Sequence, residues 1–212
     1  MKLNWAERWA VNNPLRVLQQ GLEIHWMRRM AEGFPQGAMI LEIGCGRGAG
    51  ARLLLDKFAP GLVHVTDLDL DMLRRSLRYP GPGRHKKVRL VVADAASLPY
   101  PSASFHAVFG FGVMHHVVGW RDALGEVARV LRPGGLYFLE ELYPALYANF
   151  LTRRLLLHPR QGRFDSISWR EALKNKGFSV LKALEHPLLG IVAVAKRCER
   201  GGIPPGLELK KR

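Results

Sequence analysis

Cysteine is nearly absent from these 212 residues: only Cys45 and Cys198 occur, with no C-x-x-C pair and no Cys/His cluster at zinc spacing. Two cysteines cannot form a disulfide framework, so the sequence predicts a reducing cytosol and no structural metal. Uninterrupted apolar runs are also missing. Ala95 to Trp120 carries no Asp, Glu, Lys or Arg, but Pro99, Pro101, three glycines and three histidines break it up, and no membrane span is expected. Glu7 and Arg8 stand where a signal peptide needs its apolar region, so secretion is not expected either. Acid is scarce: 18 Asp plus Glu oppose 32 Lys plus Arg, giving +14 and a pI near 10.4. Such an excess points to an anionic partner, whether nucleic acid, membrane or acidic metabolite, without choosing among them.

Core-forming residues are plentiful. At 23.8 kDa, with 48% hydrophobic and 24% charged residues, the chain has the composition of one soluble globular domain. The basic excess is local: residues 74–89 carry +7, 151–182 carry +6 and 196–212 carry +4, whereas 38–73 and 90–150 each carry −2.

Short apolar runs of strand length, Met39–Ile43, Leu62–Thr66, Arg89–Val92, Ala107–Phe111 and Leu136–Leu142, alternate with helical patterns at Ala49–Phe58, Asp71–Tyr79 and Arg121–Leu131. This alternation predicts an α/β fold, a largely parallel sheet with helices on both faces. Asn13-Pro14 reads as an N-cap and first helical position. Leu15, Leu18, Leu22, Trp26 and Met30 then predict an amphipathic helix, either packed on the domain by that stripe or serving as a lid or membrane-surface element together with Trp5 and Trp9. Ser168 and Glu171 suggest a capping box for a helix over Trp169–Lys176 ended by Gly177. Val180–Glu185 and Ile191–Lys196 resemble two closing strands. The expected organisation is a helical lid or cap over 1–33, one α/β domain over 34–196 and a loose basic tail over 197–212.

Leu41-Glu-Ile-Gly-Cys-Gly-Arg-Gly48 follows the first strand and opens a helix, a turn in which glycine lets the backbone approach a ligand closely. Taken alone, Gly44 to Ala49 also fits a dinucleotide-binding pattern. The second strand ends in Asp67-Leu-Asp69, and a carboxylate there can accept hydrogen bonds from both hydroxyls of a ribose. The third ends at Asp94, placed to take the exocyclic amine of adenine. Two acids at successive strand ends suit a nucleoside without a pyrophosphate.

Leu41–Gly48, Asp67–Leu73, Asp94–Pro99, Phe105–Val117 and Val130–Gly135 resemble, in order and spacing, the motifs of class I S-adenosylmethionine-dependent methyltransferases. They are most similar to the small-molecule branch containing the ubiquinone and menaquinone methyltransferases. The resemblance covers roughly residues 38–142. It implies a Rossmann-like, doubly wound seven-stranded sheet, mostly parallel with an antiparallel last strand. It places the cofactor's methionine moiety beside Glu42, Gly44 and Gly46, with Cys45 between the glycines, the ribose on Asp67, and the adenine near Leu68, Asp94 and Ala95. The backbone of Gly110 and Phe111 would face the cofactor's amino group. The sequence departs from the family at Phe105-His106, where a Phe-Asp pair is common.

A sulfonium methyl is already activated, so such an enzyme chiefly aligns an acceptor and excludes water; a base is needed only where the acceptor must lose a proton. His115, His116 and Glu140 are the catalytic candidates, each also open to a purely structural role. Trp5, Trp9, Tyr143 and Tyr147 are candidates for lining an acceptor pocket. The expected activity is S-adenosylmethionine-dependent methyl transfer to a small-molecule or lipid-like acceptor, without metal, in the cytoplasm and peripheral to an anionic membrane. The alternatives are an NAD-linked oxidoreductase and an RNA- or DNA-modifying methyltransferase. Against the last, no Asn/Asp-Pro-Pro-Tyr motif occurs.

Overall fold

A computed structural model describes residues 13–31, 33–77, 85–147 and 161–199. Seven strands form one sheet in the order β3-β2-β1-β4-β5-β7-β6. They are β1 (Met39–Ile43), β2 (Leu62–Asp67), β3 (Val88–Val92), β4 (Phe105–Phe111), β5 (Leu131–Leu142), β6 (Phe178–His186) and β7 (Gly190–Arg197). All neighbours are parallel except β7, which runs antiparallel to both β5 and β6. The central strand β1 is apolar on both faces, apart from Glu42, because helices cover both sides.

The helices are α1 (Pro14–Met30), α2 (Ala49–Phe58), α3 (Leu70–Ser76), α4 (Trp120–Val130), α5 (Pro144–Tyr147) and α6 (Ser166–Asn175). On one face of the sheet, Ile24 and Met27 of α1 and Leu54 and Phe58 of α2 pack on Ile40, Phe109, Phe138 and Val194. Phe109 and Phe138 stack with centroids 4.3 Å apart. On the other face, Trp120, Leu124 and Val127 of α4 and Trp169 and Leu173 of α6 pack on Phe105, Tyr137 and Leu139.

Two local expectations are corrected. The predicted apolar line of α1 is only partly its packed face: Trp26 and Met30 pack against the core, but Leu15, Leu18 and Leu22 are 77%, 63% and 66% exposed, and Gln20, Ile24 and Met27 face inward instead. Periodicity finds an apolar line but cannot say which side of a helix docks when a second side can also pack. The N-cap itself is as expected, with Asn13 Oδ1 accepting from Arg16 N at 2.9 Å. Arg132-Pro-Gly-Gly135 lies within β5 as an irregularity, absorbed between the pairs Phe105↔Leu131 and Ala107↔Leu136. The capping box of α6 is built by Asp165 and Ser168 rather than Ser168 and Glu171, because the helix starts one turn earlier. Trp5, Trp9, residues 78–84, residues 148–160 and the tail from 200 lie outside the described residues.

Candidate active site

The reversal of strand order at β1 and β4 opens a crevice at the carboxyl ends of the strands. A cavity of about 380 Å³ lies there, bounded by the loops after β1, β2, β3 and β4 and by Arg16 and Gln20 of α1. Parallel register brings these loops level, with Ile43 beside both Thr66 and Gly110.

The loop after β1 forms the cavity floor. Gly46 has φ +53° and open space where a Cβ would stand, so the backbone itself faces the cavity. A Cβ at Gly50 would overlap Glu42 Oε1, so the helix start must be bare for that carboxyl to fit. Glu42 is buried, its carboxyl accepts from the Ala51 backbone N–H, and its Oε2 has no hydrogen-bond partner among the described residues. Burial, reinforced by Asp67, pushes this carboxyl up to about 8.

Asp67 ends β2 and ties two loops together: its Oδ2 accepts from Gly46 N at 3.0 Å and its Oδ1 from Asp69 N at 2.8 Å. Burial raises it above the usual carboxylate range, opposed by these backbone donors. Asp69 has a different task, capping α3 through Asp71 N at 3.0 Å. Asp94 is exposed at the cavity wall, and its Oδ1 accepts from Ala96 N at 2.9 Å. The Cys45 thiol is pushed well up by burial, with Glu42 and Asp67 adding to it, which removes it as a nucleophile.

Thus Glu42, Gly44, Cys45, Gly46, Asp67, Leu68, Asp94, Ala95 and Phe111 surround one cavity. Gly110 does not reach it; a Cβ there would meet Ile43 and the Tyr137 hydroxyl, and Gly112 takes the lining position. His116 lines the cavity, and His115 lies behind it, ring centroids 4.3 Å apart. His115 Nδ1 is 2.9 Å from Glu141 Oε2, and both side chains are buried. Glu141 also accepts from the backbone N–H groups of Val113, Met114 and His115, capping the short 3-10 turn over Met114–His116. A carboxylate only accepts, so in this pair Nδ1 is the donor.

Glu140 points to the opposite face of β5, where it is buried in an ion pair with Arg16; Arg16 also lies 3.4 Å from Glu23. Burial, with Glu140 adding to it, pushes Glu23 up to about 7. Tyr143 is buried in the core, its hydroxyl donating to Glu185 Oε1 at 2.5 Å, and Tyr147 stacks beside His115 at 5.4 Å; neither lines the cavity. His106 lies at the far end of β4, accepting from Met39 N at 3.0 Å, so the departure from Phe-Asp does not touch the site. Arg16 and Gln20 were not among the expected site residues. Their signal was the polar line Arg16, Gln20, Glu23 on one side of α1.

Residues 41–139 match the family model of a methyltransferase domain. Over that span the chain is similar to methyltransferase domains. It is 30% identical over 179 residues to a fatty-acid O-methyltransferase of Mycolicibacterium smegmatis, covering 79% of this chain and 57% of that protein. It is 36% identical over 135 residues to a demethylmenaquinone methyltransferase of Thermus thermophilus, covering 61% of this chain and 59% of the other. The chain therefore spans less than two thirds of the length of these relatives. In fold it is similar to an S-adenosylmethionine-dependent methyltransferase of Aquifex aeolicus, with a TM-score of 0.71 at 15% identity over 92% of this chain and all of that one.

Proposed function

We propose that this protein transfers a methyl group from S-adenosylmethionine to a small-molecule or lipid-like acceptor. The observation that carries the reading is the Glu42 carboxyl, buried at the cavity floor with one oxygen unpartnered. A buried carboxyl held without a cation suits a ligand that brings one, and the methionine moiety has an ammonium. The glycine backbone at Gly44 and Gly46 leaves room for it. Asp67 retains lone pairs for the ribose hydroxyls, and Leu68, Asp94 and Ala95 would hold the adenine. The cofactor supplies an electrophilic methyl on sulfur.

The remaining work falls to the chain. α1 acts as a cap over the 34–196 domain, with Arg16 and Gln20 closing the cavity against water, and Glu140 anchoring Arg16 in place. Where the acceptor is a hydroxyl or amine, His116 stands at the cavity to receive its proton. The Glu141–His115 pair positions that imidazole by packing behind it. The acceptor is lipid-like and is met in the cytoplasm at an anionic membrane surface; the two curated relatives are named for a fatty acid and a menaquinone precursor. Among the described residues, no helix is long and apolar enough to cross a membrane.

An NAD-type dinucleotide is disfavoured because Asp67, Asp69 and Asp94 outnumber the two arginines, Arg16 and Arg47, on the cavity wall. Calorimetric titration with S-adenosylhomocysteine and with NAD separates the readings: micromolar binding of the first alone is expected, and binding of NAD alone would overturn the proposal.

A further inference from the structure

The outward side of α1 and the outer strand β6 together present an unusual surface. Leu15, Leu18 and Leu22 line the exposed side of α1, and Arg29 continues the same line two turns on. In the antiparallel ladder Lys182 stands opposite Val194 and Leu184 opposite Val192. Val192 and Val194 pack in the α1-side core, so Lys182 and Leu184 share that face of the sheet, beyond the edge that α1 covers. Both are exposed, as are Leu181 and Lys196 beside them. Glu23, the one carboxylate of α1, is turned inward to Arg16, and Glu185 of β6 pairs with Arg170 and Tyr143 instead. Among the described residues of α1 and β6 the exposed positions therefore combine leucines with lysine and arginine, and neither element has an exposed carboxylate.

We propose that this face docks on an anionic lipid bilayer, with Leu15, Leu18 and Leu22 entering the interface and Lys182, Lys196 and Arg29 meeting the headgroups. Exposed leucine ringed by cations matches an acyl boundary under negative headgroups. Nucleic acid would use the cations but leave the leucines in water. A second copy placed by a twofold axis would oppose cation to cation. The opposite side of the same helix carries Arg16 and Gln20 on the cavity wall, so docking sets the cavity one helix diameter from the lipid. The docking deepens the lipid-acceptor reading and rests on it for its purpose, whereas its test reads binding alone.

The full chain is sedimented with vesicles of phosphatidylcholine, with and without phosphatidylglycerol, and its affinity for S-adenosylhomocysteine is measured separately. Recovery with the anionic vesicles and little with the neutral ones is expected. The exposed triple substitution Leu15→Ser, Leu18→Ser, Leu22→Ser weakens that partitioning about thirtyfold or more. Lys182→Glu with Lys196→Glu weakens it about tenfold. Both variants retain nucleoside affinity, which also reports that they are folded. The proposal is overturned by equal recovery with both vesicles or by a leucine variant that partitions like the parent. Leucine-dependent dimerisation without vesicle binding, or RNA binding that depends on the lysines and not the leucines, also overturns it. Loss of nucleoside binding by the parent chain would sink the methyl-transfer reading and leave the docking result standing.

Discussion

Glu42→Gln tests the site at its most buried polar group. The substitution keeps the shape of the side chain and an acceptor for the Ala51 N–H but removes the charge. Holding a carboxyl at about 8 instead of its ordinary 4.5 corresponds to about 5 kcal/mol against the ionised form. Because the folded-state value is raised, this contribution to stability is fully present below pH 4.5 and is lost as pH rises through 8. Urea denaturation of the ligand-free parent should therefore show stability falling across that window. Glu42→Gln should keep only the smaller fall that Glu23 contributes up to about pH 7 and be the more stable protein at pH 8.5, by a few kcal/mol and by no more than about 5. Binding has the opposite sign. At pH 7 about nine-tenths of the parent is protonated at Glu42, so a ligand ammonium that ionises it releases close to one proton, measurable by calorimetry in buffers of different ionisation enthalpy. Glu42→Gln should release none there and bind S-adenosylhomocysteine about a hundredfold more weakly. Parallel pH–stability curves for the two proteins, or no proton release by the parent, would refute the reasoning.

Asp67→Ala removes the acceptor for two backbone N–H groups and the expected ribose contact; Kd for S-adenosylhomocysteine should rise about a hundredfold, and an unchanged Kd would move the ribose elsewhere. Arg16→Met leaves Glu140 and Glu23 facing each other without a cation and should cost about 3 kcal/mol in urea denaturation at pH 8, with a smaller loss at pH 6, where Glu23 is protonated. Glu141→Gln removes the carboxylate partner of His115; kcat should fall at least tenfold while Kd for the cofactor is retained, and an equal loss in both would make the pair purely structural.

The strand ends were legible in the sequence because the loops that bind a nucleoside need particular residue types there: bare backbone at Gly46, carboxylates at Glu42, Asp67 and Asp94. All of these surround one cavity. The strand alternation was equally plain, and the seven-stranded order with β7 reversed agrees with what the resemblance implies. What failed was the orientation of parts that the sheet does not enforce. A strand in a parallel sheet has no free choice of face once its register is set. A helix on the rim does, and α1 docks through Gln20, Ile24 and Met27 although its leucines form the more obvious line. Neighbouring acids on β5 illustrate the same limit. Glu140 was a catalytic candidate and its neighbour Glu141 was not, yet alternation along the strand sends Glu140 away to Arg16 of α1 and Glu141 to His115 on the opposite side.

That alternation links the two faces of the molecule at the site. Residues 140 and 141 stand at the end of β5, next to the cavity, and each fixes one of its walls: Glu140 ties down the cap helix through Arg16, and Glu141 holds the histidine turn through three backbone N–H groups and His115. Both carboxylates are buried, and each is matched by donors on its own side. A charge lost on one side leaves the other matched, so cap and histidine turn should respond independently: Arg16→Met should loosen α1 without altering the His115–Glu141 pair. Hydrogen exchange separates the two, with faster exchange expected at Gln20–Ile24 and unchanged protection at Met114–His116. Equal loosening at both would mean that α1 and the histidine turn open as one unit.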